Sequence, residues 1–211
     1  MAFDIYIFDL DGTLIDTRCD LAIAVNEMLD LYGIGPKSVE EVTGYVGDGI
    51  KKLVERSFGN SSFDIEEALS AFKKCYWNHM LDTTAPYPGV VNLLSSLKGK
   101  FKAILTNKAY RFTRAITDGL GLTPFFPVIV GGDTVERKKP STDGIEYILD
   151  RAGLPKARAV MIGDGKNDIV VAKNAGLASV WVTYGFSDRA RLLGATPDYT
   201  IDTPEQLLDI G

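Results

Sequence analysis

Short apolar runs that alternate with helix-period segments constrain this chain more than any other feature. The runs are Ile5–Phe8, Phe101–Leu105, Pro127–Val130, Ala159–Ile162, Ser179–Val182 and Tyr199–Ile201. In most of them apolar residues stand side by side instead of alternating with polar ones, which suits strands buried on both faces. Helical spacing appears around Val90–Leu97, Tyr110–Leu120, Thr142–Ala152, Asn167–Ala175 and Pro204–Leu208. The alternation predicts an α/β fold, a doubly wound, mostly parallel, Rossmann-like sheet with helices on its faces. One stretch breaks the rhythm. From Asp16 to Pro86 no strand is evident, and two helical faces are: Leu21, Val25, Met28, Leu29 and Tyr32, then Ile65, Leu69, Phe72, Tyr76 and Met80. Pro86-Tyr87-Pro88-Gly89 closes the stretch as a turn-forming hinge. The expected organisation is therefore a core of residues 1–15 and 87–211 with an α-helical insertion, residues 16–86, just after the first strand.

Composition excludes several classes. Apolar residues are 45% and charged residues 24%, ordinary values for a packed domain. The longest apolar run, Leu21–Val25, is far short of the roughly 20 residues a membrane span needs. Asp4 stands where a signal peptide would carry a basic residue. A net charge of −5 offers nucleic acid no electrostatic hold. Cys19 and Cys75 are too few for a disulfide framework, form no zinc spacing with the single histidine, and are expected to be buried thiols. A cytoplasmic protein without nucleic-acid or membrane partners is the expectation.

Candidate chemistry gathers where strands end, which is where open parallel sheets bind ligands. The first strand runs into Asp9-Leu10-Asp11-Gly12-Thr13. Two carboxylates so close repel unless a cation or a shared proton relieves them, although Asp and Gly also end strands simply by making turns. Further on, Met161-Ile162 leads into Gly163-Asp164-Gly165-Lys166-Asn167-Asp168, a strand, a turn and a helix start. Asp164 and Asp168 stand about one helical turn apart and can face one cavity, or can serve as helix-start residues. Gly163 and Gly165 suggest a dinucleotide fingerprint, but Asp168 occupies the third glycine position and would repel a pyrophosphate. Thr106-Asn107 follows the Phe101–Leu105 run, and Arg137-Lys138-Lys139-Pro140 follows the Pro127–Val130 run and its loop. Together the strand ends supply carboxylates, a hydroxyl, an amide and a lysine. Such hard oxygen donors suit Mg²⁺ and, with it, a phosphate.

In this order the four segments, Asp9-Leu10-Asp11-Gly12-Thr13, Thr106-Asn107, Lys139-Pro140 and Gly163-Asp164-x-x-x-Asp168, resemble the motifs of the haloacid dehalogenase-like superfamily. Within it the chain is similar to the phosphoglycolate phosphatase branch, through Asp9–Leu21, Gly44–Ile50, Leu105–Lys108 and Gly163–Gly176. The resemblance implies a Mg²⁺-dependent phosphatase acting on a small phosphorylated metabolite, 2-phosphoglycolate before other candidates. A phosphatase for a sugar phosphate, a nucleotide or pyrophosphate, or a hexose-phosphate mutase, is the alternative. Asp9 would be the nucleophile that becomes an aspartyl-phosphate, and Asp11 the general acid and base. Thr106, Asn107 and Lys139 would bind the phosphoryl group, with Lys138 the neighbouring alternative. The ion would be held by Asp9, the Asp11 carbonyl and Asp164, with Asp168 close by or reaching it through water. An acid at position 11 separates the chain from the dehalogenase branch. A phospho-accepting signalling receiver is disfavoured by the acid pair on the first strand and by the long insertion. The resemblance makes the helical insertion a cap that excludes water and selects the substrate. Gly44 and Gly47, in a loop whose backbone N–H groups open a helix, and Arg18 are the candidates for that selection. His79 reads as a helix-packing residue. A monomer and a homodimer are both open.

Overall fold

The computed structural model describes residues 3–210. The chain forms two compact units, one of residues through Asp16 together with those from Pro86 onward, the other of Thr17–Ala85. In chain order the strands are β1 (Ile5–Phe8), the two-residue β2 (Ile15–Asp16) and β3 (Ala85–Pro86), β4 (Phe101–Leu105), β5 (Val128–Val130), β6 (Ala159–Gly163), β7 (Ala178–Val182) and β8 (Tyr199–Ile201). Six of them make one sheet in the order β5-β4-β1-β6-β7-β8, and every pairing is parallel. Counting only those six, the order is the 3-2-1-4-5-6 of doubly wound nucleotide-binding sheets, which reverses direction beside the first strand. The register aligns the strand ends, with Phe8 opposite Ile104 on one side and Ile162 on the other.

Burial explains why the apolar runs do not alternate. Every residue of β1 and β6 is buried. Ile5 and Ile7 join Leu105 and Met161 in one cluster with Ile145 and Ile148 of a helix over Asp143–Ala152 and Val171 and Ala172 of another over Lys166–Ala175. Tyr6 and Phe8 point to the other face, as strand geometry requires, and Phe8 meets Phe126 edge to face at 6.2 Å. Two expectations shift at their edges. Pro127 lies outside β5, consistent with its lack of a backbone N–H. Pro204–Asp209 is a 3₁₀ helix, the tighter form that short segments adopt.

The second unit is helical throughout its interior: α1 (Arg18–Asp30), α2 (Val39–Thr43), α3 (Ile50–Phe58) and α4 (Ile65–His79). Leu21, Val25, Met28 and Leu29 of α1 are buried, as are Leu69, Phe72 and Tyr76 of α4 and Met80 after it, so both sequence-derived faces are core except at their ends, where Tyr32 and Ile65 are half-buried. Ser38 and Glu41 form a reciprocal capping box on α2, and Asp64 caps α4 by accepting from the N–H groups of Glu66 and Glu67 at 2.9 Å. Asp20, inside α1, is fully buried; its carboxylate accepts from the backbone and hydroxyl of both Thr83 and Thr84 at 2.6–3.1 Å. His79 closes α4 by contacting Asp82 and Glu27, a packing and ion-pairing role. The thiol expectation needs correction: Cys19 is exposed and Cys75 only half-buried. On α1 the buried face is carried by residues 20–22, 24 and 25, which turns position 19 to solvent.

Candidate active site

Three parallel chains leave the sheet side by side, and each delivers a polar group as it does. Asp9 follows β1 with its N–H on the Ile162 carbonyl, Thr106 follows β4 with its N–H on the Val130 carbonyl, and Asp164 follows β6. Beyond Asp9 the chain turns at once: Gly12 adopts φ 78°, and the Thr13 and Leu14 N–H groups return to the Leu10 carbonyl. Asp168 sits in the first turn of the helix over Lys166–Ala175, where its Oδ2 accepts from the Gly165 N–H at 3.0 Å. Asp9, Asp164 and Asp168 each offer a carboxylate oxygen, and the three lie within 4.8 Å of one another. Three acids from two distant segments thus converge on one carboxylate cluster, together with Lys139.

Lys139 is the only cation seen inside that cluster among the described residues. Its buried Nζ lies 3.0 Å from Asp9 Oδ1 and 2.6 Å from Asp168 Oδ1. Lys138, its neighbour, is exposed. Burial works to lower the Lys139 pKa, but the Asp168 and Asp9 carboxylates prevail and raise it. Burial pushes Asp9 up to about 6, with Asp168 adding to the rise and Lys139 opposing it. Asp164 is driven well above the ordinary carboxylate range by burial and then by the charges of Asp168 and Asp9. Three carboxylates against one ammonium leave the cluster short of positive charge.

Thr106 and Asn107 are both buried beside this cluster's strands. Asn107 Nδ2 donates to the Lys139 carbonyl at 3.1 Å, so the amide braces the lysine's own backbone. Thr106 Oγ1 accepts from the Lys108 N–H at 3.3 Å. The other sequence candidates lie in the helical unit. Arg18 is the exposed first residue of α1. Gly44 ends α2 with its N–H already donated to the Glu40 carbonyl, and Gly47 takes φ 117°. Gly49 precedes α3 as its cap, and Asp48 is engaged by Arg56.

Comparison with known proteins decides the family. A family model described as haloacid dehalogenase-like hydrolase matches residues 6–182. This chain belongs to the haloacid dehalogenase-like hydrolases. Phosphoglycolate phosphatase 1 of Pseudomonas aeruginosa is 36% identical to it over 95% of this chain and 77% of its own length. Phosphoglycolate phosphatase of Neisseria meningitidis is 38% identical over 96% and 91%. A crystal structure described as a predicted phosphoglycolate phosphatase from Haemophilus somnus superposes with a TM-score of 0.91 at 27% identity, covering 99% of this chain and 98% of that one.

Two features of this hydrolase escaped sequence reasoning. Lys108 Nζ holds both oxygens of Asp11 at 3.0 Å, with both side chains nearly buried. The lysine was visible next to Asn107, yet nothing in its spacing announces a partner ninety-seven positions earlier. The loop after β7 also reaches Asp164: the Phe186 N–H donates to its Oδ2 at 2.8 Å. No helix among the described residues is long and apolar enough to cross a membrane.

Proposed function

We propose that this hydrolase is a Mg²⁺-dependent phosphomonoesterase whose preferred substrate is 2-phosphoglycolate, split into glycolate and phosphate through a phosphorylated Asp9. The observation that carries the reading is Asp9 itself, a half-buried strand-end carboxylate clustered with two buried ones and paired to Lys139. The similarity to named phosphoglycolate phosphatases over nearly the whole chain supports the substrate.

The residues present fit a divalent cation of the hard, oxygen-seeking kind. The cluster is made of carboxylate oxygens alone, carries an excess of negative charge, and includes one acid driven well above its ordinary pKa by burial and by the charges of its two neighbours. Asp9, Asp164 and the Asp11 carbonyl would hold Mg²⁺, with Asp168 adjacent. When bound, the ion supplies positive charge to the phosphoryl oxygens and to Asp9.

This chain's own residues account for the remaining work. An Asp9 oxygen attacks phosphorus while the ester P–O bond breaks, and Asp11 gives its proton to the departing alkoxide. Asp11 then takes a proton from water, whose oxygen attacks the same phosphorus. The bond to Asp9 breaks, and phosphate leaves with the carboxylate restored. Lys139 stays charged through both steps because its carboxylate neighbours raise its pKa, and it offsets charge on the phosphoryl group. Asp168 and the Asn107 amide hold Lys139 from its two ends. Thr106 supplies a hydroxyl to a phosphoryl oxygen. Discrimination among esters is assigned to the helical unit, as a cap, through Arg18 and the Gly44–Ile50 loop, since the core groups address only the phosphoryl end.

Acid quenching of the enzyme during turnover, followed by peptide mapping, tests the central step. Phosphate bonded to Asp9 is expected. Phosphate on any other side chain would overturn the assignment.

A further inference from the structure

None of the four motif segments explains how Asp164 is held. Its surroundings come from a fifth segment, Trp181-Val182-Thr183-Tyr184-Gly185-Phe186-Ser187. Gly163 pairs with Trp181 across β6 and β7, so the chain leaving β7 runs beside the residue that follows β6. Trp181 is buried, and its indole N–H donates to the Asp164 carbonyl at 3.0 Å. The Phe186 and Ser187 N–H groups both donate to Asp164 Oδ2, at 2.8 and 3.2 Å. Tyr184 donates its hydroxyl to the Thr13 carbonyl at 3.2 Å, tying the same loop to the turn after Asp11.

Space is as tight as the hydrogen bonding. A methyl group on Gly185 would overlap the Asp164 β-carbon and the Gly12 carbonyl oxygen. A methyl on Gly12 would stand 2.6 Å from Asp164 Oδ2. Gly185 is not among the glycines with positive φ, so what it provides is room and not an unusual backbone angle. The Asp164 carboxylate is therefore clasped between two glycines, with one oxygen committed to two amides. A carboxylate oxygen has two acceptor sites, so Oδ2 is filled and Oδ1 keeps its lone pairs.

We propose that Trp181, Gly185 and the Phe186–Ser187 amides are positioning residues that present a single oxygen of Asp164, Oδ1, to the cation site. The inference rests on the reading of Asp164 as a cation ligand. Partners that orient a ligand in this way commonly change metal affinity by about 10–100-fold when removed.

The test is Mn²⁺ binding by calorimetry on the full-length chain, alongside the Mg²⁺ activation constant and kcat. Gly185→Ala should weaken Mn²⁺ binding by about 10-fold or more, because Asp164 or the Gly12 carbonyl must move. Trp181→Phe keeps a smaller aromatic ring, loses the indole donor and should weaken binding by several-fold. In both, the Mg²⁺ activation constant should rise more than kcat at saturating Mg²⁺ falls, a split that general loosening of the fold does not produce. If Gly185→Ala fails to fold, Trp181→Phe decides. Folded Trp181→Phe with wild-type Mn²⁺ affinity would overturn the proposal, as would a kcat loss at every Mg²⁺ concentration with unchanged affinity. Wild-type protein that binds no Mn²⁺ would instead refute Asp164 as a ligand, and the proposal with it.

Discussion

Asp9 carries an electrostatic burden that function imposes on the fold. Its pKa is about 6 in the folded chain against a reference of 3.8. The folded value is the higher, so protonation favours the folded state: that contribution is complete below 3.8 and is lost as pH rises through about 6. Cation-free protein should accordingly lose stability from this group between about pH 4 and 6.5, and added Mg²⁺ should restore more stability at pH 7.5 than at pH 5. Asp9→Asn should abolish turnover yet leave the cation-free protein more stable at pH 7.5, by up to about 3 kcal/mol. Urea melts read both effects, and a variant less stable than wild type at that pH would contradict the charge argument. Lys108 presents the opposite case, a residue whose position is explained by one partner. Lys108→Met should remove this ion pair from Asp11 and lower kcat by about 10-fold or more with a smaller change in KM, as expected where an interaction matters most in the transition state. Equal kcat for variant and wild type would remove Lys108 from the account. The gathering of Asp9, Asp164 and Asp168 was legible because acids at the ends of neighbouring parallel strands come together. The Lys108–Asp11 pair was not, because only the closed sheet brings the turn after β4 to the turn after β1.

Among the elements, the helices of the inserted unit show the limit of periodicity. Apolar spacing identified the buried faces of α1 and α4, but Asp20 breaks the pattern of its own helix and is nonetheless fully buried. Its partners, Thr83 and Thr84, stand 63 and 64 positions later, beyond the reach of any local rule. Burial alone would raise the Asp20 pKa; the hydrogen bonds from Thr83 and Thr84 lower it below 3.8. A depressed folded pKa gives stability above the unfolded value that is lost as pH falls through the folded one, the reverse of Asp9. Asp20→Ala leaves two hydroxyls and two amides without their acceptor and should cost about 2–3 kcal/mol at pH 7, less in acid. Denaturant melts at pH 7 and pH 3.5 check both the size and the direction. Strand limits were legible almost to the residue, since burial on both faces demands continuous apolar runs. The segment after β7 was not, because Thr183–Ser187 reads as an ordinary turn until β6 and β7 are paired.

At the scale of the whole molecule, the proposed function divides labour between a core that would handle the phosphoryl group and a helical unit that would select the rest of the ester. Gly47 has φ 117°, an angle that proline's ring forbids, so Gly47→Pro must rebuild the Gly44–Gly49 loop. That change should lower kcat/KM for 2-phosphoglycolate by about 10-fold or more while an activated aryl phosphate, which depends on the core alone, loses less. Equal losses on both substrates would deny the loop a selective role. The break in strand rhythm falls where the two compact units divide, at Asp16–Thr17 and Ala85–Pro86, whereas helix spacing reports what is buried and not what is recognised. The central claim is tested most directly by kcat/KM across a panel of phosphomonoesters, with Mg²⁺ and with the ion removed by chelation. The account predicts Mg²⁺-dependent release of phosphate, with 2-phosphoglycolate at the head of the panel; folded, Mg²⁺-loaded protein that hydrolyses no ester above background would contradict it.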